Sequence, residues 1–135
     1  MNALPGPGPK HQWAVYVCGG ENGGGPVKIG HSKDPYRRKL AIQTAWPGRV
    51  QMHFTFWVKT KRAALAAESS TKWLLRSYRV HGEVFGVSAR EAALAVRNVF
   101  RDMGVSVDWL PDNVHSDNLG GFKYKGKSPW DRVCL

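Results

Sequence analysis

"GGGPVKIGHSKDPYRRKLAIQT", residues Gly23–Thr44, carries a glycine-rich turn, a short apolar strand, a helix start and three consecutive cations in one run. Asp34 is placed to cap a helix whose first residue is Pro35, a position where a missing N–H leaves no hydrogen bond unmade. The spacing predicts that this helix runs to about Ala45 and stops before "WPG". Upstream, "WAVYVC" (Trp13–Cys18) is rich in β-branched and aromatic residues and reads as a buried strand. Only "GGENGGG" separates it from "PVKIG", so the two strands are expected to form a hairpin.

Downstream, "VQMHFTFWV" (Val50–Val58) alternates and predicts a third strand with Met52, Phe54 and Phe56 on one face. "KRAALAAESSTKWLLRSYR" (Lys61–Arg79) reads as a long helix, followed by a turn at "VHGEVF". Ser88 is placed to cap a last helix, "AREAALAVRNVFRDM", ended by Gly104. The order β-β-α-β-α-α predicts an α/β (α+β) fold: a small, mainly antiparallel three-stranded sheet flanked by helices. Residues 1–11 alternate Pro and Gly and are expected to be a flexible lead-in to a domain over 12–108. Residues 109–135 read as an extended aromatic and basic tail, with Phe122, Tyr124 and Trp130 set among Lys123, Lys125, Lys127 and Arg132. Whether that tail packs on the domain or docks elsewhere stays open at this point.

At 135 residues the chain has room for one domain with a real core. Its formal charge of +10 points to a polyanionic partner, and nine cations fall between Lys28 and Arg62 against the single anion Asp34. Cys18 and Cys134 belong to no CxxC or Cys/His cluster, so zinc is not expected and both read as free thiols in a reducing compartment. No apolar run approaches the roughly 20 residues that span a bilayer. The expectation is an intracellular, cytoplasmic or nucleoid-associated protein with no membrane partner.

The opening run then reads as a phosphate cradle. Tyr16 on the first strand, Lys28 on the second and Arg38 in the helix can converge with the helix N-terminus on one side. Cleavage of a phosphodiester also needs a carboxylate, and Glu68 is the only acidic residue in the helix from Lys61 to Arg79.

The ordered series "VYV…GGGPVKIGHSKDPYRRKLAIQT…E…RVHGEVF" resembles the GIY-YIG nuclease superfamily. The resemblance is to its KIG-type branch, typified by a phage T5 open-reading-frame domain and a fission-yeast meiotic protein, and it covers Val15 to Val96. It implies a metal-dependent endonuclease. Tyr16 falls on the tyrosine of the first half-motif, Lys28, Ile29 and Gly30 on the second, Arg38 on the catalytic arginine, and Glu68 on the glutamate that holds Mg²⁺ or Mn²⁺. Arg79, Gly82, Glu83 and Phe85 match the branch's "R..GEWF" ending, with Val84 in place of Trp.

Two departures touch the chemistry: Lys28 stands where the wider superfamily has a second tyrosine, and Lys72 where this branch usually has His. Lys28 is therefore cast as a phosphate clamp, and Tyr16 or His31 as the group that orients or deprotonates the attacking water. Lys33, Arg37, Lys39, Lys59, Lys61, Arg62 and Lys72 are the expected nucleic-acid contacts, with DNA favoured over RNA. Plainer readings stand beside these. Glu68 and Lys72 are spaced as a surface i, i+4 ion pair, His31 is equally a loop-surface residue, and Glu83 equally a structural closure. At the level of the whole chain the alternatives are a catalytically weakened nucleic-acid-binding module and an interaction protein of a phage or mobile element. No motif reads bases, so the expectation is low intrinsic specificity, or specificity supplied by a protein partner or a dimer.

Overall fold

Trp13–Gly20 form strand β1 and Val27–Ser32 form β2, paired antiparallel with Tyr16 opposite Gly30 and Cys18 opposite Lys28. The computed structural model describes residues 12–111; the expected lead-in, most of the expected tail and Cys134 lie outside the described residues. Helix α1 (Pro35–Gln43) starts where the sequence places it. The Asp34 carboxylate accepts the Arg37 N–H at 3.1 Å, and Pro35 opens the first turn. At its far end the Gln43 side chain donates to the Gly48 carbonyl at 2.7 Å and accepts from the Val50 N–H at 2.9 Å. One side chain thereby ties the "WPG" turn to strand β3 (Val50–Val58).

Strand β3 departs from simple alternation. Val17 faces Phe54 but Cys18 faces Met52, so His53 is an extra residue, a β-bulge. The bulge turns the strand over. Phe54, Phe56 and Val58 lie in the larger core cluster, whereas Val50 and Met52 join Tyr16, Cys18 and Ile42 on the opposite side of the sheet. The expectation that Met52 shares a face with Phe54 and Phe56 is thus corrected: one inserted residue reverses the phase of every residue beyond it. His53 is itself buried and donates from Nε2 to the Gly20 carbonyl at 2.7 Å.

Helix α2 (Lys61–Leu74) is capped by Thr60, and a single 3-10 turn at Arg76–Tyr78 follows it. The long helix expected to reach Arg79 stops five residues short, because the backbone there is taken by sheet pairing. Arg79–His81 (β4) and Val84–Phe85 (β5) form a hairpin, and the Gly86 N–H donates to the Tyr78 carbonyl at 2.8 Å. Gly82 in the turn sits at φ 51°, where a side chain would be strained. Helix α3 (Ala89–Met103) begins with a capping box between Ser88 and Glu91 and ends at Gly104 in the left-handed conformation. Strand β6 (Asp108–Pro111) closes the described chain by pairing with β3.

The result is a six-stranded sheet in the order β4-β5-β2-β1-β3-β6. The α/β class holds, with an antiparallel sheet larger than the three strands expected. Helices α2 and α3 cover one face through Ala64, Ala67, Ala92, Ala93, Val96 and Phe100; α1 covers the other through Ile42. Each buried Val, Ile or Phe on these faces contributes about 1.5–3 kcal/mol. Small residues on α2 let it lie close to the sheet. Among the described residues no helix is long and apolar enough to cross a membrane.

Candidate functional site

Successive residues of β2 point to opposite faces, so Lys28 and Gly30 lie on the α1 side with Tyr16, while His31 lies on the α2 side. Strand β5 covers only the first part of β2, pairing at Val27 and Lys28, and the Glu83 carbonyl accepts the Ile29 N–H at 3.3 Å. Beyond Ile29 the strand edge is uncovered by β5, and the chemistry-bearing side chains wrap around it.

On the α2 side, His31 Nδ1 donates to Glu68 Oε1 at 2.5 Å. Glu68 is nearly fully buried although it belongs to the helix face formed by Ala64, Ala67 and Thr71. Its second oxygen, Oε2, accepts from the Lys72 ammonium. The same ammonium reaches Glu83 Oε2 at 2.8 Å, and Glu83 Oε1 accepts from Lys28 Nζ at 2.5 Å. The line His31–Glu68–Lys72–Glu83–Lys28 therefore runs from one face of the sheet to the other around the edge of β2. Burial alone would raise the Glu83 carboxyl, but the hydrogen bonds from Lys28 and Lys72 outweigh it and hold the group at about 2. Glu83 stays ionised throughout the neutral range.

On the α1 side, Tyr16 packs over Gly30 so closely that a Cβ there would fall 2.6 Å from its ring carbon Cζ. Burial pushes the Tyr16 hydroxyl well above the usual phenol range; Cys18 reinforces the shift and Arg38 opposes it. Tyr16 is consequently a proton donor at neutral pH and not a ready base. Burial also drives the Cys18 thiol up to about 12 against the pull of Lys28 and Lys39, which leaves it an inert part of the core. Arg38 is exposed on α1 within electrostatic reach of the Tyr16 hydroxyl. Among the described residues its guanidinium has no hydrogen bond or ion pair.

Of the other expected contacts, Lys33, Lys59 and Lys61 gather at one end of the sheet. There Trp13 pairs with Val58, and Lys33 and Lys61 place their ammonium groups 5.5 and 5.3 Å from the centre of the Trp13 ring. That ring lies 5.9 Å from the His31 ring, so this cluster borders the site. Arg37 and Arg62 are exposed on α1 and α2, and Lys39 is half-buried near Cys18. Lys72 is partly exposed and lies inside the ion-pair network.

Glu83 reads in the sequence as part of the "HGEVF" motif and equally as a structural closure; its place in the network is not visible there, because its two lysine partners are 55 and 11 positions away in the chain. For Glu68 the signal was stronger, since a carboxylate at the helix spacing of Ala64, Ala67 and Thr71 is directed inward.

The surroundings of Glu68 do not fit the resident Mg²⁺ or Mn²⁺ expected on it. Both carboxylate oxygens already accept from nitrogen donors, and a divalent ion on either would stand against the Lys72 ammonium or the His31 N–H. Among the described residues no group of three or more His, Cys, Asp or Glu side chains is arranged to hold a metal ion.

The family described as the T5orf172 domain matches residues 14–100, from β1 into α3. No curated protein matches the chain.

Proposed function

The chain belongs to the T5orf172 domain family, which is nuclease-associated, and from that premise we propose that it is a GIY-YIG-type endonuclease that hydrolyses a phosphodiester lying across the β2 edge, with DNA favoured over RNA. The observation that carries this reading is the His31–Glu68 pair. Because a carboxylate only accepts, His31 Nδ1 bears a proton, and in the neutral ring Nε2 then carries the lone pair that takes a proton from water. Glu68 orients the ring as the carboxylate does in other histidine-based sites.

Arg38 and Lys28 answer the charge that builds on the phosphoryl oxygens. Among the described residues Arg38 has no partner to give up, whereas Lys28 shares its charge with Glu83. Tyr16, held protonated by its burial, donates a hydrogen bond to the phosphate or to the attacking water. Lys33, Lys59 and Lys61 beside Trp13 extend the contact to neighbouring phosphates. No step is assigned to a metal ion.

His31→Ala is the test. Cleavage of a labelled DNA duplex should fall by about 10²–10⁴-fold, the range of a lost general base, with affinity for the duplex within a few-fold of wild type. Unchanged cleavage would remove His31 from the mechanism. The second reading, a binding module without cleavage, is favoured by one observation: Glu68 and Glu83 are already neutralised by lysines. It predicts binding that weakens steeply with salt and no hydrolysis by wild type.

A further inference from the structure

We infer that the Lys72 ammonium takes the place of a resident divalent cation at Glu68, so that this chain engages a phosphodiester without Mg²⁺ or Mn²⁺. The inference rests on the phosphodiester site proposed above. It starts from four oxygens. Glu68 Oε1 accepts from His31 at 2.5 Å and Glu68 Oε2 from Lys72; Glu83 Oε2 lies 2.8 Å from Lys72 Nζ and Glu83 Oε1 2.5 Å from Lys28 Nζ. Every oxygen of the two carboxylates thus faces a nitrogen donor, three nitrogens serving four oxygens with the Lys72 ammonium shared between Glu68 and Glu83.

The charges balance as well as the hydrogen bonds. Two carboxylates face two ammonium groups, which removes the surplus negative charge that draws a hard cation out of water. Mg²⁺ gives up its waters reluctantly and takes oxygen ligands at about 2.0–2.1 Å in octahedral geometry. To reach Glu68 Oε2 it would have to evict Lys72, and the evicted ammonium would remain beside it: Lys72 is one helical turn from Glu68, only 21% exposed, and tied to Glu83 from the other side. A dication and an ammonium confined to one partly buried pocket repel each other strongly.

An ammonium can perform the electrostatic part of the metal's work. It has three N–H donors, of which Glu68 and Glu83 use two. The third is left for a phosphate oxygen, at a group whose position is fixed by two carboxylates before any substrate arrives. Lys72 is then a phosphate-binding residue of the site and Glu83 its positioning residue.

The experiment titrates Mn²⁺ into the full chain by isothermal calorimetry, for wild type, Glu68→Gln, Lys72→Ala and Lys72→Ala combined with Glu68→Gln. Wild type should show no Mn²⁺ binding that Glu68→Gln abolishes. Lys72→Ala should bind Mn²⁺ at least tenfold more tightly than wild type, and the added Glu68→Gln should remove that gain. In parallel, binding and cleavage of a DNA duplex by wild type are compared in EDTA and in Mg²⁺, with equal values expected. Mn²⁺ binding by wild type that disappears in Glu68→Gln would overturn the inference; that comparison needs no Lys72 variant to fold. Cleavage that stops in EDTA would also overturn it while leaving the nuclease reading intact. Absence of cleavage in both buffers would instead count against the nuclease reading, and the calorimetry would still decide the role of Lys72.

Discussion

Arg38→Ala is expected to lower cleavage of a DNA duplex by about 10²–10³-fold, the loss that follows removal of one preorganised donor from a developing oxyanion. Thermal unfolding should stay within about 0.5 kcal/mol of wild type, because the side chain is exposed and has no partner among the described residues. The contrast between a large kinetic effect and a small structural one is what separates Arg38 from its neighbours. Arg37→Ala, one position away on the same exposed turn of α1, should change cleavage by only a few-fold through the loss of one non-specific phosphate contact. Equal effects of the two substitutions would mean that α1 supplies only diffuse positive charge.

Gly30→Ala should be a strongly damaging single-methyl change in the sheet. The new Cβ would lie 2.6 Å from Tyr16 Cζ, closer to the hydroxyl and 3.1 Å from Cε2, inside a β1–β2 pair where neither strand has room to retreat. Overpacking of this kind costs about 1–3 kcal/mol, which for a domain of this size corresponds to a fall in Tm of roughly 4–8 °C per kcal/mol. Cleavage should fall with it, because the ring cannot keep its place over β2. Combining Gly30→Ala with Tyr16→Phe removes the closest clashing atom and should recover part of the stability but none of the activity. Calorimetry and cleavage rates on the two single variants and the double variant check the coupling. Additive effects would show that Tyr16 and Gly30 do not act through their contact.

Much of this architecture was legible before the structure because local chemistry set it. Asp34 and Pro35 mark the start of α1, Ser88 and Glu91 the start of α3, and Gly104 its end. The antiparallel pairing of β1 with β2 follows from two strands joined by a glycine-rich loop, although the register that sets Tyr16 opposite Gly30 does not. What the pattern could not carry was anything decided at long range. Strands β4 and β5 are three and two residues long, too short for a period of two to register, and their pairing overrode a helical pattern running to Arg79. The bulge at His53 has no signature in "VQMHFTFWV", since it depends on which residues of β1 lie opposite.

The same division runs through the site. Tyr16, Lys28, Arg38 and Glu68 stand in an ordered series in the chain, whereas the network that joins Lys28 to Glu68 passes through Glu83 and Lys72 and exists only in the folded sheet. His31 was open between site and surface, and its hydrogen bond to Glu68 is what draws it into the proposed mechanism. Lys72 reads in the sequence as a nucleic-acid contact or as one partner of an i, i+4 ion pair with Glu68; that pair is present, and the fold adds Glu83 as a second carboxylate on the same ammonium.

The central claim is hydrolysis at the β2 edge, and the most direct measurement is incubation of supercoiled plasmid with the full wild-type chain, followed by separation of supercoiled, nicked and linear forms. The account predicts that nicked circles accumulate first and that their formation is lost in Arg38→Ala. Plasmid that is bound in a salt-sensitive manner and recovered wholly supercoiled would contradict it.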